Sequence, residues 1–436
     1  MREKLLQDRT LSCMVHMGNG VMGIAFGTAA TIMLNKYISN YAGSFSYCEN
    51  DDLSEYGIPK QFPVQNERLK TAKPDDFKKI PGSPVAYWVK DKIRGTFKKF
   101  PILKKEGDTR QGMATSDNNR FLRMWYEVNR LDLISNCSSS QDAKDLNPTW
   151  VPYNKGGGYR KWYGNQDYVI KWKNSGEEVI GYAASLYGSP TRTIKSMTEY
   201  FKPSVSWSKI SSGDISFRYF PNGFIFDVAG CCIFFENNEA LYTCLGFVNS
   251  PICKNVIEAI SPTVNYEAGH IASLPFSHAL LDSKDEISQQ VKSLIAQAKI
   301  DWDSYEISWD FTRNPIIRTQ QPNLEQAFNT WQQQHTNAVA EMKRLEEETN
   351  KLFIDAYGFQ DELTPEVPDE QITLTRADRE KDSQRLISYA LGCMLGRYSL
   401  NEPGLIYAHA GNQDFEASRY QKFPADADGI IPLTEM

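Results

Sequence analysis

The spacing of apolar residues changes several times along the chain, and each change predicts a different kind of element. Residues 2–8 (REKLLQD) read as a short amphipathic helix, followed by two strand-like runs, LSCMVHM and AATIML, joined by a glycine-rich loop. Two strands and one helix cannot bury both faces of a sheet, so this segment is expected to lean on something else. From residue 41 to 105 no period holds, and scattered Pro, Gly and Lys predict an irregular connector with one helix around residues 83–92.

From about residue 112 to 275, short aromatic and β-branched runs alternate with Gly, Asn and Ser turns, as in DISFRYFPNGFIFDVAGCCIFF. Ile215, Phe217 and Tyr219 recur with period two and Pro221-Asn222-Gly223 then breaks the run, which predicts a β-hairpin in a β-rich domain. Residues 282–298 and 323–356 read as helices. In the second, Leu324, Phe328, Trp331, His335, Ala338, Met342, Leu345, Thr349, Leu352 and Ala356 recur at 4,3 spacing. That is a heptad seam on a helix about 50 Å long, which needs a partner. The expected partner is a helix after Thr375, opened by a Thr375-x-x-Asp378 capping box and striped by Leu386, Tyr389, Ala390, Cys393 and Met394. The two would form an antiparallel hairpin. The expected class is α+β, with segments at 1–45, 46–111 (a basic connector), 112–281 and 282–436 (a helical spacer).

Composition narrows the function classes. The 436 residues, 41% hydrophobic and 23% charged, suit a globular chain with several cores and exclude collagen-like, mucin-like or wholly disordered ones. Residues 10–35 carry no Asp, Glu, Lys or Arg, yet Gly18, Asn19, Gly20, Gly23 and Gly27 interrupt them, so neither a membrane span nor an export signal is expected. Eight cysteines without a C-x-x-C are too few for a disulfide scaffold and point to a reducing cytoplasm. The net charge of −6 hides an asymmetry. There are 17 basic and 8 acidic residues between 60 and 130, 10 and 5 between 150 and 218, but 11 and 21 between 282 and 382.

Among short motifs, Gly18-Asn-Gly-Val-Met-Gly23 matches the dinucleotide fingerprint G-x-G-x-x-G. Strand-like residues rather than a helix follow it, and no Asp or Glu occurs between Asp8 and Glu49, so a tight turn is expected. Lys155-Gly156-Gly157-Gly158, within WVPYNKGGGYRKWYGNQ, is not a Walker loop. Its glycines would let backbone N–H groups approach a phosphate, while Lys155, Arg160 and Lys161 neutralise charge and Tyr159, Trp162 and Tyr163 offer stacking faces. A mobile surface loop with snorkelling cations is the other reading, equally open. In Ser116-Asp-Asn-Asn-Arg120, the side chains of Asn118, Asn119 and Arg120, with Arg123 beyond, are of the kind that pairs with adenine and guanine edges. An Asx turn that merely steers the chain is the competing reading. Lys209 and Arg218 complete the candidate DNA contacts. The five histidines, at 16, 270, 278, 335 and 409, are dispersed, so no metal site is expected, and no G-x-S-x-G elbow suggests a serine nucleophile.

Longer strings are far more specific. QGMATSDNNRFLRMWYEV, WVPYNKGGGYRKWYGNQDYVIKWKNSGEE, SWSKISSGDISFRYFPNGFIFDVAG, LGFVNSPICK with ISPTVNYEAGHIASLPF, and ISYALGCMLGRYSL stand in that order. They are very similar to the C-terminal part of PglX-type adenine-specific DNA methyltransferases of BREX phage-defence systems, and the resemblance runs from about Met1 to Pro432. It implies a chain that recognises double-stranded DNA within an enzyme moving a methyl group from S-adenosylmethionine to an adenine amino nitrogen. Residues 1–36 would be the last helix and closing strands of the catalytic domain, and 112–275 the target-recognition domain.

The departures matter equally. The family's Asn/Asp-Pro-Pro-Tyr/Phe/Trp turn, which holds the flipped adenine, has no counterpart: the chain has no Pro-Pro, and Asn147-Pro-Thr-Trp150 fails at the third position. The glycine loop for the methyl donor is also missing, and family members extend beyond both ends. The expectation is a recognition fragment or split subunit with no catalytic or cofactor-binding residues of its own, inactive alone. Its partners would be DNA and the missing methyltransferase half or other BREX subunits. The alternative is a protein-interaction module whose acidic half and heptad seam dock defence-complex subunits.

Overall fold

The computed structural model describes residues 2–61, 67–211, 213–261, 264–406 and 415–425; part of the connector (62–66), His409 and Pro432 lie outside these. The chain divides into two compact units, one of residues 1–105, 254–263 and 270–277, the other of residues 106–253, 264–269 and 278–436.

In the first unit α1 (Arg2–Asp8), β1 (Thr10–Met17) and β2 (Thr28–Leu34) form where the apolar spacing places them. β1 and β2 pair antiparallel, from Thr10 opposite Leu34 to Met17 opposite Thr28. The glycine segment between them is a tight turn: Gly20 and Gly23 take φ of 84° and 74° around one 3₁₀ turn at Val21–Gly23. The connector proves to be part of this sheet. β3 (Gly43–Cys48) runs parallel to β1 and β4 (Lys70–Ala72) antiparallel to β3, giving the order β2-β1-β3-β4. The division at 45/46 therefore falls inside a strand. The helix expected at 83–92 lies later, as α2 (Asp91–Lys99), because Ser83 has a positive φ of 47° and Pro84 disfavours helix in the residue before it. Leu6, Leu11, Met14, Phe45, Phe77 and Tyr87 make the core. β2 is an edge strand with most residues exposed, Ile32 to 60%.

The second unit contains two four-stranded sheets. Its strands are β5 (Asp108–Arg110), β6 (Leu122–Met124), β7 (Trp150–Asn154), β8 (Tyr168–Lys171), β9 (Ser204–Ser208), β10 (Phe217–Phe220), β11 (Ile225–Phe226) and β12 (Gly230–Phe234). One sheet has the order β10-β9-β12-β5, the other β11-β7-β8-β6. The hairpin expected around Pro221-Asn222-Gly223 does not form: β10 pairs with β9, whereas β11 pairs in parallel with β7. The turn carries the chain from one sheet to the other. Gly223 has φ of 105°, its N–H donates to the Phe201 carbonyl at 3.1 Å, and a Cβ there would overlap the Ser135 carbonyl. Tyr153, Ile170, Ile225 and Phe226 from one sheet share a core with Cys232 and Phe234 from the other.

The longer helices of this unit are α3 (Lys173–Tyr187), α4 (Asn238–Asn249), α5 (Lys284–Trp302), α6 (Leu324–Tyr357) and α7 (Arg379–Met394). The seam of α6 is buried at Trp331, His335, Met342, Leu345 and Thr349, while Leu324 is exposed. Its partner is α5, not α7. Thr349 Oγ1 donates to Gln290 Oε1 at 3.0 Å at one end of the contact, and Trp331 and His335 meet Ile300 and Asp301 at the other, so the two run antiparallel. Gly246 of α4 sits where α5 and α6 meet: a Cβ there would come within 3.0 Å of both Phe353 and Val291. α7 instead packs Tyr389 and Cys393 against Phe311 and Tyr398. Its cap is Asp378, which accepts from the backbone of Glu380 and Lys381; Thr375 of the expected capping box bonds to Asp301 instead. None of the cysteines forms a disulfide, and no helix among the described residues is long and apolar enough to cross a membrane.

Two glycine substitutions should separate backbone demand from helix propensity in equilibrium urea unfolding. Gly223→Ala should cost about 1–3 kcal/mol through left-handed strain and the Ser135 collision. Gly181→Ala, on the exposed surface of α3 with open space around it, should instead stabilise by about 0.5–1 kcal/mol.

Candidate nucleic-acid interface

The loop between β7 and β8 holds most of the candidate contacts, and hydrogen bonds fix its path at every step. Arg218 on β10 is 0% exposed; one terminal nitrogen donates to the carbonyls of Gly158 and Arg160, each at 3.3 Å, and the other to Ser208 Oγ at 2.9 Å. Burial pulls this guanidinium down to about 10, so it remains charged at neutral pH. Trp162 is read into the same sheet edge, its N–H donating to the Phe217 carbonyl at 3.0 Å and its carbonyl accepting from Tyr219 at 2.8 Å. Gly156 is buried with φ of 79°, and the Gly157 N–H donates to Ser208 Oγ at 3.0 Å.

Beyond the glycines Tyr159 stays exposed, and the side chains from Arg160 to Tyr163 turn inward. Arg160 pairs with Asp301 of α5 at 2.6 Å, donates through Nε to the Tyr163 carbonyl at 2.9 Å, and lies 5.0 Å from the Trp302 ring centre. Asp301 also accepts from the Thr375 N–H at 3.1 Å and hydroxyl at 3.2 Å. Lys161, 5% exposed, forms an ion pair with buried Glu346 of α6, whose other oxygen accepts from Trp162 Nε1 at 2.7 Å. Tyr163 is buried beneath Lys299, whose ammonium lies 5.4 Å from the ring centre and pairs with Asp303 and Asp310.

Arg160, Lys161, Trp162, Tyr163 and Arg218 are therefore not the outward cationic face that the sequence pattern suggests, and the Arg160 and Lys161 head groups do not snorkel to solvent. The physical reason is that a buried charge is tolerated only when paired and hydrogen-bonded. Arg160 and Lys161 of the basic block find those partners in the acidic block of 282–382. Composition signalled the complementarity; nothing in the spacing singled out Asp301 or Glu346.

The remaining candidates fall into two separate groups. In the first, Asp117 caps the short helix Asn118–Phe121 by accepting from the Arg120 N–H at 3.1 Å, which bears out the steering-turn reading. Asn118, Asn119 and Arg120 are nonetheless exposed. Asn118 accepts from Thr115 Oγ1 at 2.7 Å, Arg120 pairs with Glu178 of α3 at 2.9 Å, and Arg123 donates to the carbonyls of Asn119 and Leu122, each at 2.6 Å. Hydrogen bonds from Lys171 and Arg120 hold the Glu178 carboxyl below its ordinary value. In the second group, Gly157 and Gly158 are exposed, Lys155 is half-buried against Asp227 at 3.2 Å, and Lys209 pairs with Glu267 at 3.1 Å. In the first unit, Lys98, Lys104 and Lys105 are exposed and make no ion pair with described residues, though only the basic run between 60 and 130 marked them.

The segment at residues 18–23 does not fit a methyl donor or dinucleotide. The Gly20 and Gly23 N–H groups donate to the carbonyls of Ile24 and Gly20 at 2.8 and 3.1 Å, and β2 follows where a phosphate-binding helix would stand.

Removing Glu346 strands both Lys161 and the Trp162 indole, so Glu346→Ala should lower unfolding free energy by about 3–5 kcal/mol. Arg120→Ala, which breaks an exposed pair, should cost less than about 1 kcal/mol in the same urea titration.

No family model matches the chain. Adenine-specific methyltransferase PglX of Lacticaseibacillus casei (strain Zhang) is 35% identical over 455 residues, covering 99% of this chain and 37% of that protein. Adenine-specific methyltransferase BrxX of Escherichia coli O9:H4 (strain HS) is 31% identical over 467 residues, covering 100% of this chain and 36% of that protein. Among solved structures, the type IIL restriction-modification enzyme MmeI in complex with DNA matches with a TM-score of 0.41 at 11% identity, over 88% of this chain and 47% of that one. The type IIG restriction endonuclease BpuSI matches with a TM-score of 0.26 at 11% identity, over 82% and 45%. Over essentially its whole length, this chain is homologous to a segment of the PglX-type adenine-specific methyltransferases, spanning little more than a third of the relatives it matches.

Proposed function

We propose that the chain is the target-recognition portion of a site-specific adenine-N6 DNA methyltransferase of a BREX-type phage-defence system, working in the cytoplasm on double-stranded DNA. The observation that carries this reading is the alignment of nearly the whole chain, at 31–35% identity, to adenine-specific methyltransferases, in a chain with no Pro-Pro. Methyl transfer needs donor and adenine held in line, and most of the barrier reduction comes from that positioning. S-adenosylmethionine and the target adenine would be held by the rest of the enzyme. The open edge and exposed faces of β2 support residues 1–36 as the closing strands of a sheet that continues in the catalytic domain.

On the DNA, the exposed Asn118, Asn119 and Arg120 and the half-buried Arg123 would meet base edges and phosphates, and the Gly157 and Gly158 backbone would approach a phosphate closely. Arg120 can exchange an exposed Glu178 partner for a phosphate at small cost. Lys155 and Lys209 would add a weaker field. Gly156, Arg160, Lys161, Trp162, Tyr163 and Arg218 would act by holding the loop in shape. The interaction-module alternative loses ground, because carboxylates of the acidic half are taken up inside the unit.

Fluorescence anisotropy with labelled duplex at rising salt tests this. Affinity should fall with a log–log slope of about −0.9 per phosphate contact, and Arg120→Ala and Arg123→Ala should each flatten the slope by about 1. Absence of binding at the lowest salt would overturn the proposal. The chain incubated alone with labelled methyl donor and DNA should incorporate no label.

A further inference from the structure

Six rings run through the first unit in continuous contact. Phe77 meets Phe45 edge-on at 5.5 Å, Phe45 stacks on Tyr87 at 5.2 Å, and Tyr87 meets Trp88 edge-on at 5.0 Å. Trp88 then lies 6.3 Å from His16 at an interplanar angle of 29°, and His16 lies 4.7 Å from Tyr47. The series begins at fully buried Phe77 and Phe45, and its fourth ring, Trp88, is 36% exposed. Its last four members, Tyr87, Trp88, His16 and Tyr47, line a cavity of about 560 Å³. A tryptophan keyed edge-on to a core tyrosine loses little freedom when a ligand stacks on it, and the volume falls within the range of about 300–1,000 Å³ typical of small-ligand sites.

The charges around the cavity select among ligands. Two carboxylates, Glu67 and Glu258, face two cations, Arg68 and Lys70, and Arg68 is already engaged by Glu49 and by Asp52 at 2.7 Å. No surplus positive charge is left for a phosphate. The carboxylates are acceptors for an amino group. Burial holds His16 below its ordinary value, so at neutral pH the imidazole is uncharged and offers one donor and one acceptor.

We propose that this cavity binds one flat, uncharged heterocycle of nucleobase size that carries an exocyclic amino group, stacked against Trp88 and His16. The source of the base, a nucleotide unstacked from DNA, rests on the function proposed above; the site itself does not. Sequence reading passed over it because Trp88 and Tyr87 stand in the connector, His16 in a strand, and no motif links them.

The test uses the full chain and 2-aminopurine riboside, whose fluorescence is quenched on stacking, with competition by adenosine, cytidine, thymidine and ribose 5-phosphate. Quenching should saturate, adenosine and cytidine should compete at several-fold lower concentration than thymidine, and ribose 5-phosphate should not compete. Trp88→Ala should weaken binding by at least about tenfold, with Trp88→Phe, which keeps a ring, recovering most of it. Ribose 5-phosphate competing as well as adenosine, or equal quenching by wild type and Trp88→Ala, would overturn the proposal, and the first of these outcomes needs no variant to fold. No duplex is present, so loss of salt-dependent duplex binding with nucleoside binding retained would count against the recognition function alone. Retained duplex binding without quenching would count against the cavity alone.

Discussion

Two ion pairs, one buried and one part-buried, tie the loop of the second unit to its long helices. Arg160 and Asp301 are 141 residues apart in the sequence, and Lys161 and Glu346 are 185 apart. Taking such charges out of water costs several kcal/mol each unless geometry and additional hydrogen bonds compensate. Here they do: Asp301 takes two further bonds from Thr375, and Glu346 takes one from the Trp162 indole. Because Arg160 finds its carboxylate on α5 and adjacent Lys161 finds its own on α6, the loop is satisfied only when both helices are in place. An apolar contact, which tolerates sliding, would not impose that condition.

This arrangement gives the charges of the sequence two different tasks. The cations deepest in the loop serve architecture, and so does Arg218, which gathers the Gly158 and Arg160 carbonyls from beneath. The proposed contacts with a partner fall on the exposed Asn118, Asn119 and Arg120 and on exposed Gly157 and Gly158. A recognition surface gains from rigidity, since side chains and backbone already in position lose less entropy on binding. The two long helices α5 and α6 are therefore support for the loop, and the heptad seam of α6 serves an intramolecular partner.

Elements whose signal is local were legible in the sequence. The run from α1 through the glycine turn to β2 follows directly from apolar spacing and from positive-φ glycines, and α5 and α6 from their helical period. Three features depend on distant residues and were not legible. Gly223 reads like a hairpin turn, but its neighbours pair with strands of two different sheets. The apolar stripe of α7 fits α6 in pattern, yet Phe311 and Tyr398 claim it. At the site, Trp162 and Tyr163 look like stacking faces because aromatic residues serve equally well as core, and only distant partners, Glu346 for Trp162 and Lys299 for Tyr163, decide between the two. Block charge carried the true hint, that a basic middle and an acidic later part belong together, without saying where they meet.

Amide hydrogen exchange of the intact chain, read at residues 155–166 and along α6, addresses the coupling most directly. If the ion pairs hold loop and helix as one body, the loop amides exchange in the wild type nearly as slowly as those of α6 around Glu346, and Asp301→Asn accelerates both regions together. Loop amides that exchange at the rate of an exposed segment in the wild type, or that remain unaffected by loss of the Asp301 charge, would contradict it.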